Sequence, residues 1–236
     1  MNVARRCLWI VPCLVLVSCQ TLPDPIPYTL PATASSLFGA CGESDGSVQL
    51  EVQRGPESKT QAIDWLGKGR KGWIAEAYNP LGQTMLRLEW APEKAGGIRI
   101  KGAVAGQLPP VRVDDNGFLT VDGYFAGLRP EEIPCLLKFR LPSAWLQRVV
   151  RKRESVGKIV LDIREEHRRM EVTIVGENTL KKRRVCALLE WSRWLGMSGS
   201  AVRICMHQED PAWAEVQGLG EYQVKWRDLD GQEEGQ

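Results

Sequence analysis

Gly72 to Trp90 reads GWIAEAYNPLGQTMLRLEW, and this stretch decides the fold. Beyond Asn79-Pro80-Leu81-Gly82, the residues Thr84, Leu86, Leu88 and Trp90 alternate with Met85, Arg87 and Glu89. A period of two is the signature of a half-buried strand. The arm before the turn, Trp73 to Tyr78, is shorter and less regular. Asn-Pro-x-Gly is turn chemistry, because Pro80 presets its own φ and Gly82 tolerates a positive one. The pattern predicts a hairpin with Leu81 at its tip. Two readings of that leucine stand: it folds back onto its own sheet, or it touches something apolar outside the fold.

The strand signal continues after the hairpin. Ile98 and Ile100 alternate with charged neighbours. Asp115-Asn116-Gly117 predicts a turn ahead of a β-rich run from Phe118 to Phe125. Ile159, Leu161 and Ile163 predict one strand, and Met170, Val172 and Ile174 the next, joined through the charged residues Glu165 to Arg169. Val185 to Trp191 and Val202 to Met206 predict another pair around Gly196-Met197-Ser198-Gly199, and Tyr222, Val224 and Trp226 a last strand. Between them, Trp145, Leu146, Val149 and Val150 form an apolar stripe that predicts a helix over Ser143 to Arg153, with Ser143 as its N-cap. A shorter helix is expected around Glu131 to Phe139, interrupted by Pro134. The fold class is therefore mainly β with some α. About nine to eleven antiparallel strands in one sheet must curl or close. Leu86, Leu88, Trp90, Trp145, Leu146, Val149, Ile159 and Leu161 are the candidates to line the resulting cavity.

Residues 1–18 read as a signal peptide, with Arg5 and Arg6 ahead of an apolar run too short to span a bilayer. The run ends in Leu16-Val17-Ser18-Cys19, which resembles the bacterial lipobox. Cys19 is then the lipidated mature N-terminus. Gln20 after it, rather than Asp, is similar to lipoproteins sorted to the outer membrane. Residues 19–34 carry Pro23, Pro25, Pro27 and Pro31, a semi-rigid tether. Residues 35–236 are expected to form a single domain with a polar C-terminal tail.

The chain has 31 basic and 29 acidic residues. Without Arg5 and Arg6 the charge balances, which points away from a nucleic-acid partner. Arg148 to Arg153, Arg164 to Arg169 and Lys181 to Arg184 form basic clusters, read as solvated faces, with anionic lipid headgroups as the alternative. Cys41, Cys135, Cys186 and Cys205 remain after the signal and lipid cysteines. They permit two disulfides in an oxidising compartment, Cys186 with Cys205 first, or four buried thiols.

The motifs of reaction chemistry are missing. There is no HExxH, GxSxG, P-loop or GxGxxG, and no CxxC to suggest a zinc or redox site. His167 and His207 are the two imidazoles. Glu131-Glu132 and Asp114-Asp115 read as solvated carboxylates. No catalytic set is expected, and neither a cofactor nor a metal.

Tyr78-Asn79-Pro80-Leu81-Gly82-Gln83-Thr84 with Leu86 and Leu88 resembles the matching hairpin of the LolB family, outer-membrane receptors for lipoprotein localisation. The order that follows is similar too: Pro130 to Phe139, Leu141-Pro142, a Trp145-Leu146 helix, then hairpins. The resemblance implies a half-open antiparallel β-barrel whose helices cover a cavity for acyl chains. It also implies that Pro80, Leu81 and Gly82 form a membrane-insertion loop. The function expected is binding of acylated lipoprotein cargo, or of phospholipid acyl chains, and its insertion into the outer membrane from the periplasmic face. A periplasmic lipoprotein carrier would be a partner. The alternative is an envelope lipoprotein with the same scaffold in a structural or interaction role.

Overall fold

The computed structural model describes residues 24–26, 32–93, 97–103, 105–176, 183–192, 198–208 and 211–229. The signal segment and Cys19 lie outside them, as does the centre of the Gly196 turn.

In chain order the elements begin with α1 (Ala32–Ser35), β1 (Phe38–Gly39), β2 (Glu43–Arg54), β3 (Glu57–Lys68), β4 (Trp73–Tyr78), β5 (Thr84–Trp90) and β6 (Arg99–Lys101). Three short strands follow, β7 (Val111–Val113), β8 (Leu119–Val121) and β9 (Tyr124–Phe125). Then come α2 (Ile133–Leu137), β10 (Leu141–Pro142), β11 (Val149–Ser155), β12 (Lys158–Arg164) and β13 (Arg168–Gly176). The chain continues through β14 (Arg183–Ser192), β15 (Ser198–Gln208), β16 (Trp213–Leu219) and β17 (Tyr222–Asp228).

Twelve strands form one antiparallel sheet in the order β11-β12-β13-β14-β15-β16-β17-β2-β3-β4-β5-β6. That is one strand more than the upper end of the expected range. Neighbours are sequential hairpins except where β17 lies beside β2, with Tyr222 opposite Arg54 and Asp228 opposite Val48. The first and last long strands thus meet in the interior of the order, and β6 and β11 are its edges.

Register puts the apolar residues on one face. Leu161, Val172, Ala187, Ile204, Val216, Val224 and Val52 face one another in sequence across seven strands. Opposed residues in a ladder project to the same side, so this row is continuous. The row through Ile163, Met170, Leu189 and Val202 is fully buried. At the other end Trp73 opposes Trp90, Ala75 opposes Leu88 and Ala77 opposes Leu86. The alternation of Thr84, Leu86, Leu88 and Trp90 therefore belongs to the inner face.

Residues 102–148 join the two edges and run over that inner face. Gly127 sits against the side chain of Leu189 so closely that an added Cβ would meet it at 2.6 Å. Farther on, α2 is fastened by indoles from the sheet below. Trp73 donates its Nε1–H to the carbonyl of Pro130 at 2.7 Å, and Trp226 donates to Leu136 O at 3.1 Å. Buried carbonyls at helix ends need donors, and tryptophan supplies one together with a large apolar area. The Cys41–Cys135 disulfide ties α2 to the residues after β1, which pairs in parallel with β10.

The helix expected over Ser143 to Arg153 is corrected. Ser143–Arg148 is a 3₁₀ turn, and Val149–Ser155 is an edge strand paired with β12. Spacing of i, i+1, i+4, i+5 does not separate a helix from a turn followed by a strand when the second half is β-branched. Pro134 does not interrupt α2. It sits in the first turn, where its missing N–H costs nothing.

Candidate functional site: an apolar cavity, an exposed hairpin tip and a buried ion pair

The tip is built by Asn79. Its side-chain Oδ1 accepts from the backbone N–H of Leu81 and of Gln83, both at 2.9 Å, while its carbonyl accepts from Gly82 N–H at 2.9 Å. Gly82 has φ of 76°. These bonds hold the loop open, and Leu81 is 83 % exposed. Pro80 and Gly82 are exposed beside it. Below the loop, Glu76 accepts from the Tyr78 hydroxyl at 2.6 Å and from Arg87 at 2.7 Å. The Tyr78 hydrogen bond, followed by that of Arg87, outweighs desolvation and holds the Glu76 carboxyl below its ordinary value.

A cavity of about 390 Å³ lies under β2, β3 and β5. Its floor is Leu50, Val52, Ile63 and Leu86, and Leu108 with Pro109 from the crossover lie across it. Its polar lining is Arg54, Glu57, Lys59, Thr60, Gln61 and Tyr222. Arg54 and Glu57 flank the β2–β3 turn, and Gln61 donates to Tyr78 O at 3.3 Å. In an antiparallel sheet the β2–β3 and β4–β5 turns fall at the same end, so the polar side of the cavity and Leu81 share that end.

Of the eight cavity candidates, Leu86 lines this space. Leu88, Trp90, Leu146 and Ile159 pack half-buried against the core. Val149 and Leu161 are 0 % exposed and belong to the solid core under the other half of the sheet. Leu50, Val52 and Ile63 were the residues missed. Val48-x-Leu50-x-Val52 and Ile63-x-Trp65 do alternate, and that alternation was the signal available for them.

Trp145 is 1 % exposed, and its Nε1–H donates to Glu132 at 2.6 Å. Glu132 is not solvated. It is 6 % exposed and receives both Nη atoms of Arg168 at 2.7 Å. Arg168, read as part of a solvated basic cluster, is 0 % exposed. Its guanidinium also reaches Gly127 O at 2.8 Å and Glu165 at 3.0 Å, between the rings of Phe118 and Trp145. Burial opposes its charge, yet the hydrogen bonds and charges of Glu132 and Glu165 leave its pKa above the ordinary arginine value. A second cleft of about 590 Å³ opens above this pair, bordered by Trp145, which like Leu86 is one of the eight cavity candidates, and by Arg129, Arg148, Arg164, Glu131, Glu165 and Glu166 among others.

Cys186 and Cys205 oppose each other in β14 and β15 and form the second disulfide. His167 lies near Glu166 at 3.7 Å, while His207 stacks on Trp213 at 3.7 Å between ring centres. The two imidazoles sit at opposite ends of the sheet. Among the described residues no cluster of three or more metal-ligating side chains occurs, and no helix is long and apolar enough to cross a membrane. No protein-family model matches the chain, and no curated protein sequence matches it.

Proposed function

We propose that this is a lipid-anchored, LolB-like carrier that holds acyl chains in its cavity and delivers them to the outer membrane, on the periplasmic face. The observation that carries the reading is the position of Leu81, which stands 83 % exposed at the same end of the sheet as the polar side of an apolar-floored cavity. In this reading the sheet wraps as a half-open barrel, and residues 102–148 cover its mouth. Acyl chains are strongly unfavourable in water, at about 0.8 kcal/mol for each CH2 transferred. A carrier therefore needs a shielded apolar space and a way to breach the bilayer surface. Leu81 is the wedge, Cys19 the anchor, and a periplasmic lipoprotein carrier the donor.

Residues 24–26 support the orientation. Ile26 donates its N–H to Val149 O at 2.8 Å. Val149 begins β11 at the end of the sheet that also bears the β4–β5 turn. Ile26 follows Cys19 by seven steps of the chain, a reach of about 25 Å when extended.

The test is delivery of an acylated peptide from donor to acceptor vesicles. Leu81→Glu should leave the unfolding midpoint unchanged and abolish delivery; undiminished delivery would rule out the wedge. A second reading, an envelope scaffold without lipid, is favoured by the solid packing of Val149 and Leu161. Failure of the protein to take up any alkyl-chain probe would support it.

A further inference from the structure

The face of the sheet turned away from residues 102–148 carries a platform of its own. In β16 the buried Ala214 and Val216 alternate with the half-buried Trp213 and Glu215, so the latter two project to that outer face. The ladder sets His207 of β15 beside Trp213 on one side and Arg227 of β17 beside it on the other. Gln49 of β2 opposes Arg227 in turn. In the next outer row Lys225 opposes Glu51, and Glu51 opposes Thr60.

The rings of His207 and Trp213 lie 6° from parallel with their centres 3.7 Å apart. The imidazole therefore covers one face of the indole, and it does so from the β15 side. On the β17 side lies a depression of about 220 Å³, bounded by Trp213 with Arg227, Lys225, Gln49, Glu51 and Thr60. Parallel stacking fixes where the second indole face looks: away from β15 and toward this depression. Tryptophan is a residue that ordinarily buries most of its area. Here a stacked partner holds one upright on a polar, solvated face.

The chemistry of the depression selects its ligand. An aromatic face carries the negative part of the ring quadrupole and attracts polarised C–H groups. Beside it stand guanidinium, ammonium, amide, carboxylate and hydroxyl groups, which between them donate to and accept from hydroxyls. A pyranose ring matches both parts, with C–H groups on its flat side and hydroxyls around its rim. An alkyl chain would leave the polar groups unmatched. The space is smaller than the about 300–1,000 Å³ of a pocket that encloses a whole small ligand, so it seats one ring of a longer chain.

We propose that the outer face of β16, β17 and β2 binds a glycan, with one pyranose ring stacked on Trp213 and its hydroxyls bonded to Gln49, Glu51 and Arg227. The site is independent of the acyl cavity, which lies on the inner face. Trp213 begins β16 at the end of the sheet opposite the β4–β5 turn, so a molecule whose Leu81 touches a bilayer holds this platform away from it.

The test uses the chain carrying Cys19→Ser, titrated calorimetrically with cellohexaose and with chitohexaose. At least one hexamer should bind, and Trp213→Ala should weaken that binding about tenfold. Trp213→Phe, which keeps a smaller ring, should lose less. Sorbitol, with a sugar's hydroxyls but no ring, should not compete. All titrations are run below the thermal midpoint of each variant, which separates loss of binding from loss of fold. No binding of either hexamer to the chain with Trp213 intact, or equal affinity in Trp213→Ala, would overturn the proposal. So would competition by sorbitol at the hexamer's own concentration, because stacking would then not be what holds the sugar.

Discussion

Arg168 on β13 and Glu132 ahead of α2 grip each other through two parallel hydrogen bonds of 2.7 Å, with the guanidinium wholly buried. The pair joins the sheet to the segment that crosses its inner face. Trp145 donates to the same carboxylate, so three elements converge on it. Removing Arg168 strands the buried Glu132 carboxylate, and removing Glu132 leaves the buried guanidinium with Glu165 alone. Glu132→Ala should cost about 3–5 kcal/mol in urea unfolding, and Arg168→Met a similar amount. The double variant Glu132→Leu with Arg168→Met should lose less than the two single losses together, because the carboxylate that remains, Glu165, is partly exposed and lies 3.7 Å from Arg129. A double loss equal to the sum of the singles would contradict this account.

The two disulfides should contribute unequally. Cys41 and Cys135 are 94 residues apart, and Cys186 and Cys205 are 19 apart. Closing the longer loop restricts the unfolded chain more, by about 4.5 kcal/mol against about 3 kcal/mol in the loop-entropy account. Serine pairs at Cys41/Cys135 should therefore lower the unfolding free energy further than pairs at Cys186/Cys205. The reverse order would show that native contacts, not loop length, set the values.

Replacing Trp73 or Trp226 by Phe keeps most of the apolar bulk but withdraws the donor from Pro130 O or Leu136 O. Each change should cost about 0.5–1.5 kcal/mol, the net worth of one hydrogen bond, since Pro130 O still accepts from Ile133 N–H and Leu136 O from Phe139 N–H. Chemical denaturation of the two variants checks it.

Gly72 has φ of 107°, and a Cβ there would penetrate the carbonyl oxygen of Trp90 on the paired strand. Gly72→Ala should destabilise by about 3 kcal/mol or more, through both strain and collision. Gly82→Ala, where nothing lies within 4 Å, bears only the strain of its positive φ and should cost less. Thermal midpoints of the two variants make the comparison.

The depressed pKa of Glu76 gives a pH signature. A carboxyl lowered by folding adds stability above its unfolded pKa, near the ordinary 4.5, and loses it as pH falls through the folded value. Wild type should exceed Glu76→Gln in thermal midpoint above that range, and the two should converge in more acidic buffer. A constant difference at all pH values would exclude the carboxylate as its source.

What could be read from the residues was what repeats locally. Thr84 to Trp90 alternates, Asn79 to Gly82 specifies its turn, and both took the form that backbone chemistry dictates. Val149 to Ser155 misled because Val149 and Val150 satisfy a helical stripe equally well; pairing with Lys158 to Ile163 settles them as a strand. The pair Glu132 and Arg168 had no local trace at all. Each sits in a charged run that resembles a solvated surface, and only the passage of residues 102–148 over the inner face buries them together. Lys59 and Gln61 were invisible for a related reason, since their inward orientation follows from register with Val52 and Leu50 rather than from their own type.

The meeting of β17 with β2 has a consequence for how the molecule is made. β17 is a keystone in the middle of the sheet, flanked by its sequence neighbour β16 on one side and by the distant β2 on the other. Until β17 pairs with β2, the chain holds two separate half-sheets with raw edges, and such distant pairing is slow. Closure of the sheet thereby waits on this one seam, and melting it would part the sheet in two rather than trim an edge.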